Sequence, residues 1–280
     1  MSQPRTAGTF YTVTAEVCGR TETGPTRSQN QDAIVVAGAV TANSGTALSW
    51  TGSVPTTGLR VAVVDGMGGY AGGDSAAAVA ANALTNAPLT TEPGEMDAWF
   101  EDLSIRIALA GQAWNTPAMG ATVALLTLTP AGLVIANVGD CRIYRVIDGH
   151  MDQLSVDDRT EDPNSHAVTQ ALGGANRIDA HTWPRPYAGG LERYVLCSDG
   201  VWDTLSPSVL RDLCSAGRPP DQITQAIASS IYAGRARDNC SVVIVDLIAT
   251  PTQVSPQAQR EANPEPAAWR IGVRTGRHAP

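Results

Sequence analysis

Five aspartates in this 280-residue chain stand where strand-like segments meet glycine or asparagine. Asp65-Gly66 follows the apolar run 59–64, Gly139-Asp140 follows 133–138, and Asp199-Gly200 closely follows 194–197. Asp32 directly precedes the run 33–36, and Asp238 comes shortly before 241–248. A carboxylate at a strand end can project from a sheet edge, while the neighbouring glycine lets the backbone turn tightly and present its own carbonyl. Several such ends brought together make an oxygen-only site, which selects hard cations such as Mg²⁺ and Mn²⁺ over Zn²⁺ or Cu²⁺. Without a cation, crowded carboxylates repel and some hold their protons. A single Asp-Gly is equally a common turn, so the combination carries the reading.

The elements that must position these residues follow from local pattern. Residues 9–18, 33–36, 59–64, 122–128, 133–138, 141–146, 194–197 and 241–248 read as strands, rich in β-branched and apolar types. Residues 41–58 are rich in Thr, Ser and Gly and read as a loop or hairpin excursion that could border Asp65. A helix is expected over 74–87 with Asp74 and Ser75 as candidate N-caps, and a second over 95–114 from its near-helical apolar spacing. Asp148-Gly149 is a hairpin turn signal. Two further helices are expected near 207–215, where Ser206-Pro207 supplies a cap and a proline at the first helical position, and at 220–233. Strands at both ends and in the middle, with helices in pairs, suit two packed sheets covered by helices.

Composition removes several classes. All 19 basic residues are arginine, so P-loop, Schiff-base and kinase-type ATP lysines are excluded. A formal net charge of -8 argues against a nucleic-acid partner. The five cysteines are scattered singly, mostly in or beside apolar runs, and read as buried reduced thiols. No stretch approaches the roughly 18 apolar residues of a membrane span, so a cytoplasmic protein without a membrane partner is expected. Residues 251–280, rich in Pro, Ala, Gln and Arg, read as a disordered tail with 267–273 as a short docking segment. The domain is expected over 1–250.

Seven short blocks, in order, carry a resemblance. They are the segment from Gly24 through Arg27 and Asn30-Gln31 to Asp32; Asp65-Gly66-Met67-Gly68-Gly69; Gly120-Ala121-Thr122; Asn137-Val138-Gly139-Asp140-Cys141-Arg142; Thr169 to Gly173; Ser198-Asp199-Gly200-Val201-Trp202-Asp203; and Asp238-Asn239-Cys240-Ser241. The chain resembles the PPM family, the bacterial PP2C-type protein serine/threonine phosphatases, over roughly 10–248. The resemblance implies an α+β fold, a four-layer αββα sandwich of two antiparallel sheets flanked by helix pairs. It implies two Mn²⁺ or Mg²⁺ ions, with a weaker third. Asp65 would bridge the first two ions, the Gly66 carbonyl would bind the first, and Asp199 and Asp238 the second. Asp32 would act through an intervening water, and Asp140 and Asp203, with Asp199, would hold the third ion. Arg27 would grip the substrate phosphate with its planar fork. The implied activity is hydrolysis of phosphoserine or phosphothreonine by an activated water, on substrates of a bacterial serine/threonine kinase, by a monomer.

Departures from the family pattern narrow this. Gln31 stands in place of an acidic residue, Met67 in place of a histidine proposed as general acid, Cys141 in place of serine, and Asp158-Arg159 in place of an Asp-His pair. His150, His166 and His181 match no catalytic position, so surface or structural roles are expected. About a dozen residues separate Asp158 from the Leu172-Gly173 block, too few for the family's flap. Plainer readings exist for single residues: Arg27 as a surface ion pair, Asp203 as a helix cap, Trp202 as core packing. A catalytically weak or dead phosphoprotein-binding scaffold is the competing function. Retention of Asp65, Asp199 and Asp238 speaks against it.

Overall fold

The computed structural model describes residues 11–67, 72–90, 93–160, 167–174, 177–215 and 217–252. Gly68, Gly69 and the expected tail beyond residue 252, with its docking segment, lie outside the described residues.

Among these, the chain first forms β1 (Tyr11–Glu22), β2 (Asp32–Val36), β3 (Ala39–Thr41), β4 (Thr46–Ser53) and β5 (Leu59–Met67). Helices α1 (Gly73–Leu84) and α2 (Pro93–Ala113) follow. Then come β6 (Gly120–Thr129), β7 (Gly132–Val138), β8 (Arg142–Ile147), β9 (His150–Gln153), β10 (His181–Arg185) and β11 (Gly190–Cys197). The short α3 (Asp199–Trp202), then α4 (Pro207–Ser215) and α5 (Pro220–Gly234), lead to the closing β12 (Cys240–Pro251). The strands make two antiparallel six-stranded sheets, ordered β4-β1-β12-β11-β8-β9 and β10-β7-β6-β5-β2-β3.

Three apolar layers hold the sandwich. Between the sheets, Val17, Ile34, Val63, Leu126, Tyr194 and Val243 interlock. Ala77 and Ala81 of α1, with Phe100 and Leu103 of α2, cover the outer face of the second sheet. Small alanines let α1 approach the sheet closely. Leu210 of α4 and Ile223 and Ile227 of α5 cover the first sheet at Val195 and Ile244. Each fully buried Leu, Ile or Phe contributes roughly 1.5–3 kcal/mol of transfer free energy. The expected αββα sandwich is the observed architecture, and all five cysteines are buried free thiols.

Several local expectations change. Within 41–58 lies β4, an edge strand paired with β1 from Thr46 opposite Thr21 to Ser53 opposite Thr14. Its small polar residues face water while Leu48 and Trp50 lean on the inter-sheet core, so no apolar run marks it. The N-cap of α1 is Gly72, left-handed at φ 113°, rather than Asp74 or Ser75. Asp74 sits in the first turn, accepts the Ser75 N–H at 2.8 Å, and places its charge at the positive helix end. The polar strands β9 and β10 carry no sequence signal strong enough to expect them. Asp148 and Gly149 form the anticipated turn, with φ 49° and 77°, joining β8 to β9. Where a flap would sit, the chain leaves Arg159 and returns at Val168, its antiparallel bridge partner. Residues 161–166 of that segment lie outside the described residues.

Candidate metal centre

The centre begins with strand register. Asp65 and Gly66 lie within β5 rather than beyond its end, because β5 stays paired with β6 through Met67. On its other side Asp65 lies directly opposite Asp32, the first residue of β2. Like charges at opposed positions are destabilising, so this register needs protons or a cation. A Cβ at position 66 would fall onto the Gly73 carbonyl oxygen and come within 2.6 Å of the Gln31 oxygen, so only glycine fits. The Gly66 N–H donates to that Gln31 oxygen at 3.0 Å.

Asp199 arrives from the other sheet, at the start of α3 just past β11. Its carboxyl lies within hydrogen-bond reach of Asp65, and its buried Oδ1 has no hydrogen-bond partner within the protein. The preceding Ser198 donates from Oγ to Asp32 Oδ2 at 2.8 Å and accepts the Ser241 N–H at 2.9 Å. Ser198 therefore ties Asp32 of one sheet to β11 and β12 of the other. Asp238 sits just before β12, partly exposed. Its Oδ2 accepts from Arg27 Nη2 at 2.6 Å, and Arg27 Nε donates to the Arg237 carbonyl at 3.2 Å. The surface ion pair considered for Arg27 thus exists, and its partner is an aspartate of the cluster.

Asn239 organises the loop that carries Arg27. This buried amide donates to the Thr23 and Gln29 carbonyls at 2.9 and 2.8 Å and accepts the Gln31 N–H at 2.9 Å. Gly24, at φ 76°, packs against the Asp238 carbonyl where a Cβ could not fit. The 24–31 loop is therefore fixed to the start of β12.

Asp140 is buried in the turn after β7, with the Arg159 Nε 3.8 Å from its Oδ2. That turn is buttressed by Asp158, which accepts the Gly139 N–H at 2.8 Å and the Gln170 amide at 2.9 Å. The other Asp158 oxygen meets His181 Nε2 at 2.9 Å, and the His181 ring stacks on Trp183, so this histidine has a structural place. Trp202 packs partly against the core and donates from its indole to the Asp140 carbonyl at 3.2 Å. The Arg142 guanidinium lies 3.7 Å from its ring centre and Arg159 4.9 Å. Asp203 is the C-terminal cap position of α3, with its N–H on the Asp199 carbonyl. It is exposed and lines a cleft of about 690 Å³ together with Arg27, Asp199 and Asp238.

Electrostatics mark these carboxyls as a group. Burial, with Asp199 and Asp238 adding to it, pushes Asp32 up to about 7 against the opposing Ser198 and Ser241 hydrogen bonds. Burial followed by the charges of Asp32, Asp199, Asp140 and Asp238 raises Asp65 well above the usual range. Burial and then Asp238 raise Asp199. Burial and then Asp199 push Asp140 up to about 7. Burial, then Asp65 and Asp140, keeps Cys141 a neutral thiol.

This donor set fits hard divalent cations. It is all oxygen, it includes the orphaned Asp199 Oδ1, and its own charges oppose ionisation. Among the described residues no three His, Cys, Asp or Glu side chains close on a single point. The carboxylates are instead spread from Asp140 to Asp238. Such a spread suits more than one ion.

Comparison with known proteins agrees with this architecture. The family profile described as Protein phosphatase 2C matches residues 47–226. The chain belongs to the protein phosphatase 2C family. By family it is a protein serine/threonine phosphatase of the bacterial type. The match spans Asp65, Asp140, Asp199 and Asp203 and leaves out Asp32, which sheet register sets opposite Asp65, and Arg27 and Asp238, which pair with each other at the same cleft. The serine/threonine phosphatase stp of Listeria welshimeri is 25% identical over 213 residues, covering 66% of this chain and 83% of that protein. The protein phosphatase PstP of Mycobacterium tuberculosis is 27% identical over 210 residues, covering 67% of this chain and 40% of that protein. Among solved structures, PppA, a regulatory component of the type VI secretion system in Pseudomonas aeruginosa, superposes with a TM-score of 0.67 at 23% identity, over 87% of this chain and 99% of that one. The PstP catalytic domain in complex with two manganese ions gives a TM-score of 0.65 at 23% identity, over 85% and 100%. At these identities the superpositions establish the shared fold.

Sequence reasoning missed Ser198, Asn239, Asp158 and Arg159 as supports of the centre. The first two lie inside recognised blocks, beside Asp199 and Asp238, but their side-chain partners are Asp32 and the 23–31 loop. The other two stand out in the sequence only as a departure from a family pair.

Proposed function

We propose that the chain hydrolyses phosphoserine and phosphothreonine on proteins at this carboxylate centre, with two Mn²⁺ or Mg²⁺ ions and a weaker third, opposing a serine/threonine kinase. The observation that carries the reading is the Asp32–Asp65 pair in strand register, with the Asp199 carboxyl in reach of Asp65. Asp65, the Gly66 carbonyl, Asp199 and Asp238 would hold the two principal ions, with Asp32 acting through water. Asp140 and Asp203, with Asp199, would hold the third. Ions bound there would bring the pKa of a water near neutrality and draw charge from the phosphoryl oxygens.

The protein's own residues do the rest. Ser198 fixes the Asp32 carboxyl through its Oδ2. Asn239 fixes the loop that carries Arg27, and the guanidinium, held at the cleft by Asp238 and the Arg237 carbonyl, would offer its remaining N–H groups to the phosphate oxygens. Met67 carries no transferable proton, so the departing serine or threonine oxygen takes its proton from water in the cleft. No covalent intermediate is required, which agrees with five buried thiols. The protein would act as a cytoplasmic monomer, with neither nucleic acid nor membrane as partner; among the described residues no helix is long and apolar enough to cross a membrane.

Phosphate release from a phosphothreonine peptide tests this. Release with Mn²⁺, its loss in EDTA, and its loss in Asp199→Asn are expected. Turnover that survives EDTA would sink the mechanism, and metal binding without turnover on any phosphopeptide would favour the scaffold.

A further inference from the structure

Arg235 and Arg237 are the feature of the cleft that the mechanism leaves unused. They flank Ala236, which is buried in the core under α5, while both arginines are exposed and line the same cleft as Arg27, Asp199 and Asp238. The backbone between them is pinned. Thr26 Oγ1 donates to the Ala236 carbonyl at 3.0 Å, and Arg27 Nε donates to the Arg237 carbonyl. Among the described residues neither side chain forms an ion pair, unlike Arg27. In a chain of net charge -8, the 27–237 side of the cleft therefore concentrates three arginines.

The backbone at Arg235 adds a second observation. It closes α5 in the left-handed conformation, φ 55° and ψ 53°, with its N–H on the Ile231 and Tyr232 carbonyls. Helices that end this way usually place glycine there, because an L side chain is strained in that region. A basic residue does complement a helix C-terminus. However, one in the preceding turn would do so without strain, and the last turn of α5 has none. An arginine at a position that favours glycine, lining a cleft and without an ion-pair partner, points to a ligand.

We infer that Arg235 and Arg237 form a subsite for an anionic group flanking the scissile phosphate, so that the enzyme selects phosphoserine or phosphothreonine within acidic or multiply phosphorylated segments. The inference rests on the phosphatase reading above and names its substrate class. The shared chemistry is a carboxylate or a second phosphate met by guanidinium forks. Both arginines are solvent-exposed, so each contributes modestly and the preference is salt-sensitive.

The experiment compares kcat/KM for three phosphothreonine peptides with Mn²⁺: one with neutral flanks, one with aspartates beside the phosphothreonine, and one with a neighbouring phosphoserine. The wild-type enzyme should favour the two anionic peptides about tenfold, the combined effect of two exposed ion pairs. That preference should shrink as salt rises from about 0.05 to 0.5 M. Arg235→Gly should melt at the same or a higher temperature while losing part of the preference. The double variant Arg235→Gly, Arg237→Ala should bring the ratio to about one. A wild-type ratio near one, a ratio insensitive to salt, or a ratio unchanged in the double variant would each overturn the subsite. A preference for only one anionic peptide supports the subsite and identifies which anion, carboxylate or phosphate, the arginines read. Absence of turnover on every peptide and on p-nitrophenyl phosphate would remove the phosphatase reading itself, whereas turnover without preference removes only the subsite.

Discussion

Replacing Asp140 by asparagine should stabilise the protein in the absence of divalent cations, by an amount that grows from about pH 4 and is full above about pH 7. The carboxyl is 3% exposed. Burial, then the charge on Asp199, raises it from 3.8 to about 7, against the pull of Arg159. Between those values the folded chain holds a proton that the unfolded chain has released. Stability therefore falls as pH rises from about 4 to about 7, and the full penalty stands above pH 7. At roughly 1.4 kcal/mol per tenfold change in proton affinity, that penalty is about 4 kcal/mol. Asparagine keeps the shape of the neutral acid and cannot ionise. In EDTA the variant and the wild type should unfold together near pH 3, below the unfolded value, and near pH 8 the variant should be more stable by about 4 kcal/mol, roughly 10 °C in melting temperature for a domain of this size. Thermal or urea unfolding at the two pH values reads this directly. A variant no more stable at pH 8, or equally stabilised at both, would refute the reasoning that the cluster's own charges strain the fold.

Two further substitutions probe the supports. Ser198→Ala removes the donor to Asp32 and the acceptor for the Ser241 N–H; a loss of roughly 2–3 kcal/mol in urea unfolding is expected, and an unchanged midpoint would show that Ser198 does not hold the centre. Asn239→Ala removes three hydrogen bonds that fasten residues 23–31; cleavage in that segment during limited proteolysis should accelerate together with a rise in KM, and resistance equal to wild type would contradict its role.

Most of the centre was legible because its aspartates neighbour glycine or polar residues that break local pattern, so each stood out beside an apolar run. What the sequence could not convey was the register that makes neighbours of them. Asp32 and Asp65 lie opposite each other through the pairing of β2 with β5, and Asp199 reaches them from the other sheet. Supporting residues were invisible for a related reason. Ser198 and Asn239 are small polar residues whose value lies wholly in their partners across the fold. The edge strand β4 was hidden because its outward positions are threonine, serine and alanine, which suit loops and strands equally. The cap of α1 was misplaced because a left-handed glycine, rather than a side-chain oxygen, starts that helix. By contrast, α2 was legible from apolar periodicity alone, since it buries one stripe against its sheet.

The central claim is that this carboxylate cluster holds two divalent ions through Asp65. Equilibrium dialysis with Mn²⁺, counted by electron paramagnetic resonance, tests it most directly. Wild-type protein should bind two ions per chain with the higher affinity, and Asp65→Asn, folded to the same circular dichroism spectrum, should lose both. Two tightly bound ions persisting in Asp65→Asn would contradict the account.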